Sequence, residues 1–220
     1  MPCSINKELI DKTIAFHGHS CPGLAIGIRA AELALEEIGK APDEEVVAVV
    51  ETDMCGVDAI QYLTGCTYGK GNLVHKDYGK NAFTFYRRRD NKALRFVTRR
   101  DVFGDAGRSL GELSRKVQEE GLTEDEEKTW REIREKISKH IMETNLSELF
   151  EIKESPAPVP QKARMVASLV CESCGEPVME TRTRRFRDKV LCIPCFDALE
   201  KRYSEKQRSV STKSSFGISA

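Results

Sequence analysis

The stretch "FHGHSCPGLAIGIRAAELAL", Phe16 to Leu35, runs a group of chemistry-bearing side chains straight into the most regular apolar pattern in the chain. Leu24, Ile28, Ala31, Leu35 and, just beyond, Ile38 recur at alternating spacings of four and three, which sets them on one stripe of an α-helix. Pro22 suits the first turn of that helix, where its missing N–H would have no partner anyway, and Gly39 suits its end. With Pro22 as the first helical residue, Cys21 is the N-cap, where the helix dipole and free amides stabilise a thiolate. Cys21 shares the stripe of Leu24 and Ile28, so its sulfur is expected to face the buried side. His17 and His19 straddle Gly18 just before this terminus. The whole chain has only 4 histidines, so two of them in one tripeptide require an explanation.

Outward from this helix the signals alternate between helix and strand. "EVVAVVET", 45–52, is a short run of β-branched residues with the pattern of a buried strand. "CGVDAIQYLTG" reads as a short helix stopping at Gly65, and "AFTFYRR" and "ALRFVTRR" form a hairpin with Phe83 and Phe85 on one face. Two helices follow. The second opens on Thr123 and Glu126, a capping box, and is expected to bury Trp130, Ile133, Ile137 and Ile141. "LFEIKE" adds a last strand. Helices and strands intermix without a clean βαβ repeat, so the fold class is α+β: a mixed β-sheet core flanked by helices.

At 220 residues the chain suffices for one well-buried core and a small appendage. "ESPAPVPQKAR", 154–164, has prolines at alternate positions and reads as an extended linker. It separates a core domain, 1–153, from a Cys-rich module, 165–203, and a Ser-rich tail, 204–220, expected to be disordered. Net charge is zero overall, yet residues 1–160 carry 23 basic against 28 acidic side chains and 161–220 carry 12 against 7. The opposite signs suit docking of the basic module on the acidic core, as in a homodimer. No apolar run is long enough to span a membrane and the N-terminus lacks a signal-peptide pattern, which points to the cytoplasm. In a reducing compartment, 8 cysteines read as metal ligands or reactive thiols rather than disulfides.

The most specific spacing is Cys171-x2-Cys174 with Cys192-x2-Cys195, seventeen residues apart. Each pair sets two sulfurs on adjacent vertices of a tetrahedron, the geometry of structural zinc. Gly175 permits the positive φ that tightens the first knuckle. A polar β-like stretch between the pairs and the helical "FDALEKRY" after them complete the order of a treble-clef zinc finger.

"ETDMCGVD", 51–58, sits where the buried strand runs into the next helix, a place where sites gather in mixed folds. Together His17, His19, Cys21 and Cys55 offer a borderline-soft nitrogen and sulfur set that suits zinc or iron. His19 and Cys55 are the leading ligands, His17 and Cys21 ligands or their supports, and Asp58 a carboxylate partner. The catalytic residues are not legible.

"FHGHSCPGLAIGIRAAELAL", "ETDMCGVDAIQYLTGCTYGKGNL" and "DYGKNAFTFYRR" resemble the E-subunit family of formylmethanofuran dehydrogenase over most of residues 5–150. The resemblance implies a thioredoxin-like mixed sheet, a metal-binding active site matching His17, His19, Cys21 and Cys55, and association with a molybdenum or tungsten oxidoreductase that fixes or releases carbon dioxide on methanofuran. It also brings in Cys66, from "TGCTYGKGNL". Two other readings compete. The finger, with Arg182, Arg184, Arg185, Arg187 and Phe186, has features of a nucleic-acid binder or regulator, although modest charge and few aromatics argue against nucleic acid. Cys21, Cys55 and Cys66 offer an iron–sulfur electron-transfer site, short of a fourth cysteine. Arg87, Arg88, Arg99 and Arg100 are candidates to hold an acidic substrate. "GCTYGKGN" departs from a phosphate loop in spacing and in lacking a following Ser or Thr.

Overall fold

Five strands form one mixed sheet. A computed structural model describes residues 2–40, 43, 45–155 and 158–214, with the backbone alone for 206–214. Strand β1 (Val46–Val50) is buried at every position, as four valines around one alanine require of a strand covered on both faces. On one side it pairs in parallel with β2 (Leu73–His75), and on the other antiparallel with β3 (Ala82–Arg87). Antiparallel β4 (Lys92–Thr98) and β5 (Phe150–Lys153) complete the order β2-β1-β3-β4-β5. The hairpin, the central strand and the closing strand follow the sequence reading; the three-residue β2 does not, being too short to carry a pattern.

Register decides what each face buries. Ala48 lies opposite Phe85, and Phe85 opposite Leu94, so Val46, Ala48, Val50, Phe83, Phe85 and Phe96 share a face. Phe96 stacks against Phe85 at 6.0 Å and meets Phe150 edge-on at 5.0 Å. Each such aromatic pair adds about 1 kcal/mol beyond area burial. Helix α2 (Pro22–Glu37) lays Ala30, Leu33 and Ala34 on this face, and α5 (Glu124–Glu143) adds Ile137 and Ile141. The capping box of α5 is present, with Thr123 and Glu126 each bonded to the other's backbone N–H. Trp130 and Ile133 are only half-buried, because the first half of α5 lies against α4 (Ala106–Glu119), an amphipathic helix with no fully buried residue. Short α6 (Leu146–Leu149) leads into β5. Within α2 the fully buried Arg29 pairs with Glu32 at 2.6 Å, donates to the Thr144 carbonyl, and Glu32 accepts from Ser4 N–H. This polar knot fixes the N-terminal segment and the end of α5 to α2, and α1 (Lys7–His17) with them.

The opposite face carries Val47, Val49, Val74 and Tyr86, and Val159 covers them. Ser155 Oγ donates to the Tyr86 hydroxyl at 3.0 Å and Arg88 donates to the Pro160 carbonyl at 2.6 Å. The described part of 154–164, read in sequence as an extended linker, is therefore laid as a strap on the sheet. Its prolines leave few amides to satisfy, which lets it lie on an apolar face. Accordingly the chain divides into two compact units at Met1–Ala163 and Arg164–Ala220. Residues 156–157 lie outside the described residues.

The second unit pairs β6 (Ser168–Val170) with β7 (Pro177–Met179), then β8 (Thr183–Phe186) with β9 (Lys189–Cys192), and ends in α7 (Ile193–Ser214). Among the described residues only Cys171 and Leu191 are buried there, and the half-buried Phe186 ring meets Phe196 and Tyr203. The tail expected to be disordered from 204 is helical to Ser214. No Gly or Pro interrupts that stretch, and Glu205, Lys206, Gln207 and Arg208 are good helix formers. Residues 215–220 lie outside the described residues.

Candidate metal centres

The core centre begins with a contact between two glycines. A Cβ on Gly27 of α2 would stand 2.2 Å from the carbonyl oxygen of Gly56, the first residue of α3 (Gly56–Thr64). A Cβ on Gly56 would stand 2.9 Å from the Gly23 carbonyl oxygen. The two backbones therefore touch, a distance no larger residue allows. Cys21 caps α2 and Cys55 caps α3, so this crossing brings the two thiols together. Gly23 lies between them, its Cβ position 3.9 Å from each sulfur. Cys21 Sγ accepts the Leu24 amide at 3.3 Å, as an N-cap sulfur should.

The histidines arrive from a third helix end. His17 is the last residue of α1, and Gly18, in the left-handed region at φ 94°, ends the helix and folds His19 back. The two imidazole centroids are 4.4 Å apart. His17 Nδ1 is 2.7 Å from Asp58 Oδ2, and Asp58 Oδ1 accepts in turn from Gln61 at 3.4 Å. The carboxylate selects the tautomer with a proton on Nδ1, which leaves the lone pair on Nε2. Nε2 is buried with no hydrogen-bond partner among the described residues. One donor atom each from His17, His19, Cys21 and Cys55 lies within 4.8 Å of all the others. A tetrahedral ion with bonds of about 2.0 to 2.3 Å needs donors about 3.5 Å apart, so small side-chain adjustments close the set.

Local electrostatics match a site built for a cation. Partial desolvation, then the neighbouring His17 and Arg134, hold His19 below the ordinary imidazole value, in its neutral ligating form. Burial, then the Cys21 thiol beside it, push Cys55 up. A metal ion bound beside the Cys55 thiol would favour its thiolate and offset that cost. A cleft of about 430 Å³ opens beside the cluster, beyond the carboxyl ends of β1 and β2, and shares His17, Cys55 and Asp58 with it.

The second centre is as the spacing anticipates. The sulfurs of Cys171, Cys174, Cys192 and Cys195 lie within 4.8 Å of one another, with Cys174 and Cys192 3.9 Å apart. Gly175 has φ 77°. Amides of Cys174, then Cys192 and Ser173, draw the Cys171 thiol down to about 6.

Other sequence candidates have different duties. Cys66 is wholly buried in the core; its thiol points at the Val46 carbonyl at 3.5 Å, and burial raises its pKa. It stands apart from the cluster, which removes the third thiolate of the iron–sulfur reading. Arg87 pairs with Asp90 and bonds Ile38, Arg88 holds the strap, and Arg99 bonds Ser147, so these arginines are structural. The glycine pair 27 and 56 escaped the sequence reading, because a glycine inside a helical pattern does not name its neighbour. His75, without an evident role in sequence, lines the cleft.

A layered α+β unit with a two-histidine, two-cysteine cluster, followed by a four-cysteine finger, defines a metal-binding protein of two modules. The model for "FmdE, Molybdenum formylmethanofuran dehydrogenase operon" matches residues 16–151, and the chain belongs to this family. Residues 167–201 match the prokaryotic dksA/traR C4-type zinc finger. A curated relative from Archaeoglobus fulgidus, described as a probable S-adenosyl-L-methionine-binding protein, is 34% identical over 206 residues, 88% of this chain and 54% of the relative. The chain thus spans about half the length of that relative. The crystal structure of an FmdE-like protein of the tungsten formylmethanofuran dehydrogenase type, from Syntrophus aciditrophicus, superposes with a TM-score of 0.55 at 24% identity, over 86% of this chain and 90% of the other. That likeness establishes the fold. No helix among the described residues is long and apolar enough to cross a membrane.

Proposed function

We propose that the protein is a cytoplasmic metal-binding accessory to a formylmethanofuran dehydrogenase-type molybdenum or tungsten enzyme, with a working ion in the core and a structural one in the finger. The observation that carries the core site is the imidazole of His17: Nδ1 is held by Asp58 while Nε2 is buried, unpartnered and grouped with His19, Cys21 and Cys55. A buried ring nitrogen without a partner is costly unless something fills its lone pair. Two imidazoles and two thiolates suit zinc or iron over magnesium or calcium. The family model's description supports the enzyme partner. The finger, read as a treble clef, holds zinc through Cys171, Cys174, Cys192 and Cys195, closing the coordination sphere and leaving no place for substrate. Opposite charges on the two modules support a homodimer. A nucleic-acid role finds less support, because Phe186 and Tyr203 are engaged with one another inside the finger rather than free to stack on bases.

Metal analysis of the full chain, purified without oxygen, tests the proposal. Two equivalents are expected for the parent, and one for His19→Ala and for Cys55→Ser, with the finger's equivalent retained. If both variants keep two equivalents, the histidines merely end a helix and the core proposal is wrong.

A further inference from the structure

The cleft beside the core cluster combines features that the metal alone does not use. Its inner wall is His17 and Cys55, so the inference rests on the metal reading for that wall; the rest of the cleft stands without it. Val50, Val57 and Leu73 line it as an apolar surface, and it lies beyond the carboxyl ends of two parallel strands, where sheets of this kind hold ligands. Among its lining residues Tyr68 is 76% exposed and Met54 44% exposed. Neither belongs to any apolar cluster or ring pair among the described residues. Large apolar side chains left in water around a concave surface mark a place that something covers.

The charge of the lining selects the occupant. Asp53 and Asp58 both face the cleft, and no lysine or arginine lines it. Asp58 is already committed to His17 and Gln61. Asp53 is exposed and has no partner among the described residues, so it is the carboxylate free to receive a donor. We infer that the cleft is a binding site for a small primary amine carried on a flat ring, with the ammonium on Asp53 and the ring between Tyr68 and the apolar lining. Away from the inner wall that the proposed ion occupies, a phosphate or carboxylate ligand would meet two carboxylates and no lysine or arginine, which disfavours it. Thr52 and Gln61 complete a polar edge able to orient the amine.

Three probes of one shape and different charge decide the matter: benzylamine, benzyl alcohol and benzoate, titrated into the full metal-loaded chain and followed by ligand-observed NMR. Benzylamine is expected to bind about tenfold more tightly than benzoate, the scale of one charge-assisted hydrogen bond. Asp53→Asn, on an exposed loop, should weaken benzylamine about tenfold and leave benzyl alcohol unchanged. Tyr68→Ala should weaken both alike. The inference is overturned if benzoate binds as well as benzylamine, if none of the three binds, or if Asp53→Asn leaves benzylamine unaffected. Metal content of the same samples separates the two proposals. Two equivalents without amine preference sink the cleft alone. One equivalent with amine preference sinks the core metal, because neither Asp53 nor Tyr68 is a proposed ligand.

Discussion

In the larger unit, Cys21 and Cys55 start helices whose backbones already touch at Gly27 and Gly56, and the donors meet because a buried five-stranded core has put them there. In the smaller unit the four cysteines lie on a loop, a turn, a strand end and the first turn of a helix, around two residues that are buried among those described, one of which, Cys171, is itself a proposed ligand. The difference is one of cause. The core folds and thereby brings its four donors together, so the proposed site there is free to be open, labile and chemically tuned. The finger has too little apolar surface to fold unaided, so there the metal stands in for a core. On the proposed reading, residue choice would follow the same division: mixed imidazole and thiolate where exchange is tolerated, four thiolates where it is not.

Variants that attack this contrast differ in expected size. Cys174→Ser should have the largest effect, unfolding residues 165–203 outright while leaving the larger unit intact. Loss of the finger's amide NMR signals, with an unchanged urea transition of the single tryptophan, Trp130, is the expected pair of results. Finger signals that survive chelation would erase the contrast. Gly27→Ala comes next: its methyl would overlap the Gly56 carbonyl, so α2 and α3 must part, at about 3 kcal/mol. The Trp130 transition should shift accordingly and the core ion should be lost with the finger's retained. Asp58→Asn leaves packing alone but replaces the charged acceptor of His17 Nδ1–H with a neutral amide that can present a donor instead, so core metal affinity should fall about 10- to 100-fold by competition with a chromophoric chelator. An unchanged affinity would mean that His17 is not oriented by this carboxylate.

The smallest effect belongs to Glu126 in the α4–α5 hairpin, which supplies no donor to the core cluster. Lys116 beside it, then the Thr123 amide and hydroxyl, hold its carboxyl down at about 2. A carboxyl depressed by folding contributes stability that is complete above its unfolded value and is lost as pH falls through about 2. Stability followed by Trp130 fluorescence should therefore decline across that acid window, less steeply in Glu126→Gln. A variant that matches the parent throughout would show the pair to be idle.

Sequence legibility tracked locality. Helix α2, its Cys21 cap, the valine strand and the Thr123 box could be read because periodicity and capping act over a few residues. The grouping of His17, His19, Cys21 and Cys55 was readable from their places at helix and strand ends. What escaped depends on long-range contact: Gly27 against Gly56, Cys66 against Val46, Val159 on the back of the sheet. Cys66 shows the limit well, because a cysteine in a glycine-rich turn looks the same in sequence whether it ligates a metal or fills a core.

The strap has a practical meaning for anyone dividing this chain into parts. A protein cut after Lys153, at the end of the last strand, would carry a whole sheet and all four core donors, yet bare Val47, Val49, Val74 and Tyr86 to water. Such a fragment should stick to itself through that uncovered side and spoil at high concentration, whereas one carried on to Ala163 should stay in solution. The module boundary worth respecting is therefore ten residues past the last strand, and light-scattering of the two fragments would show it.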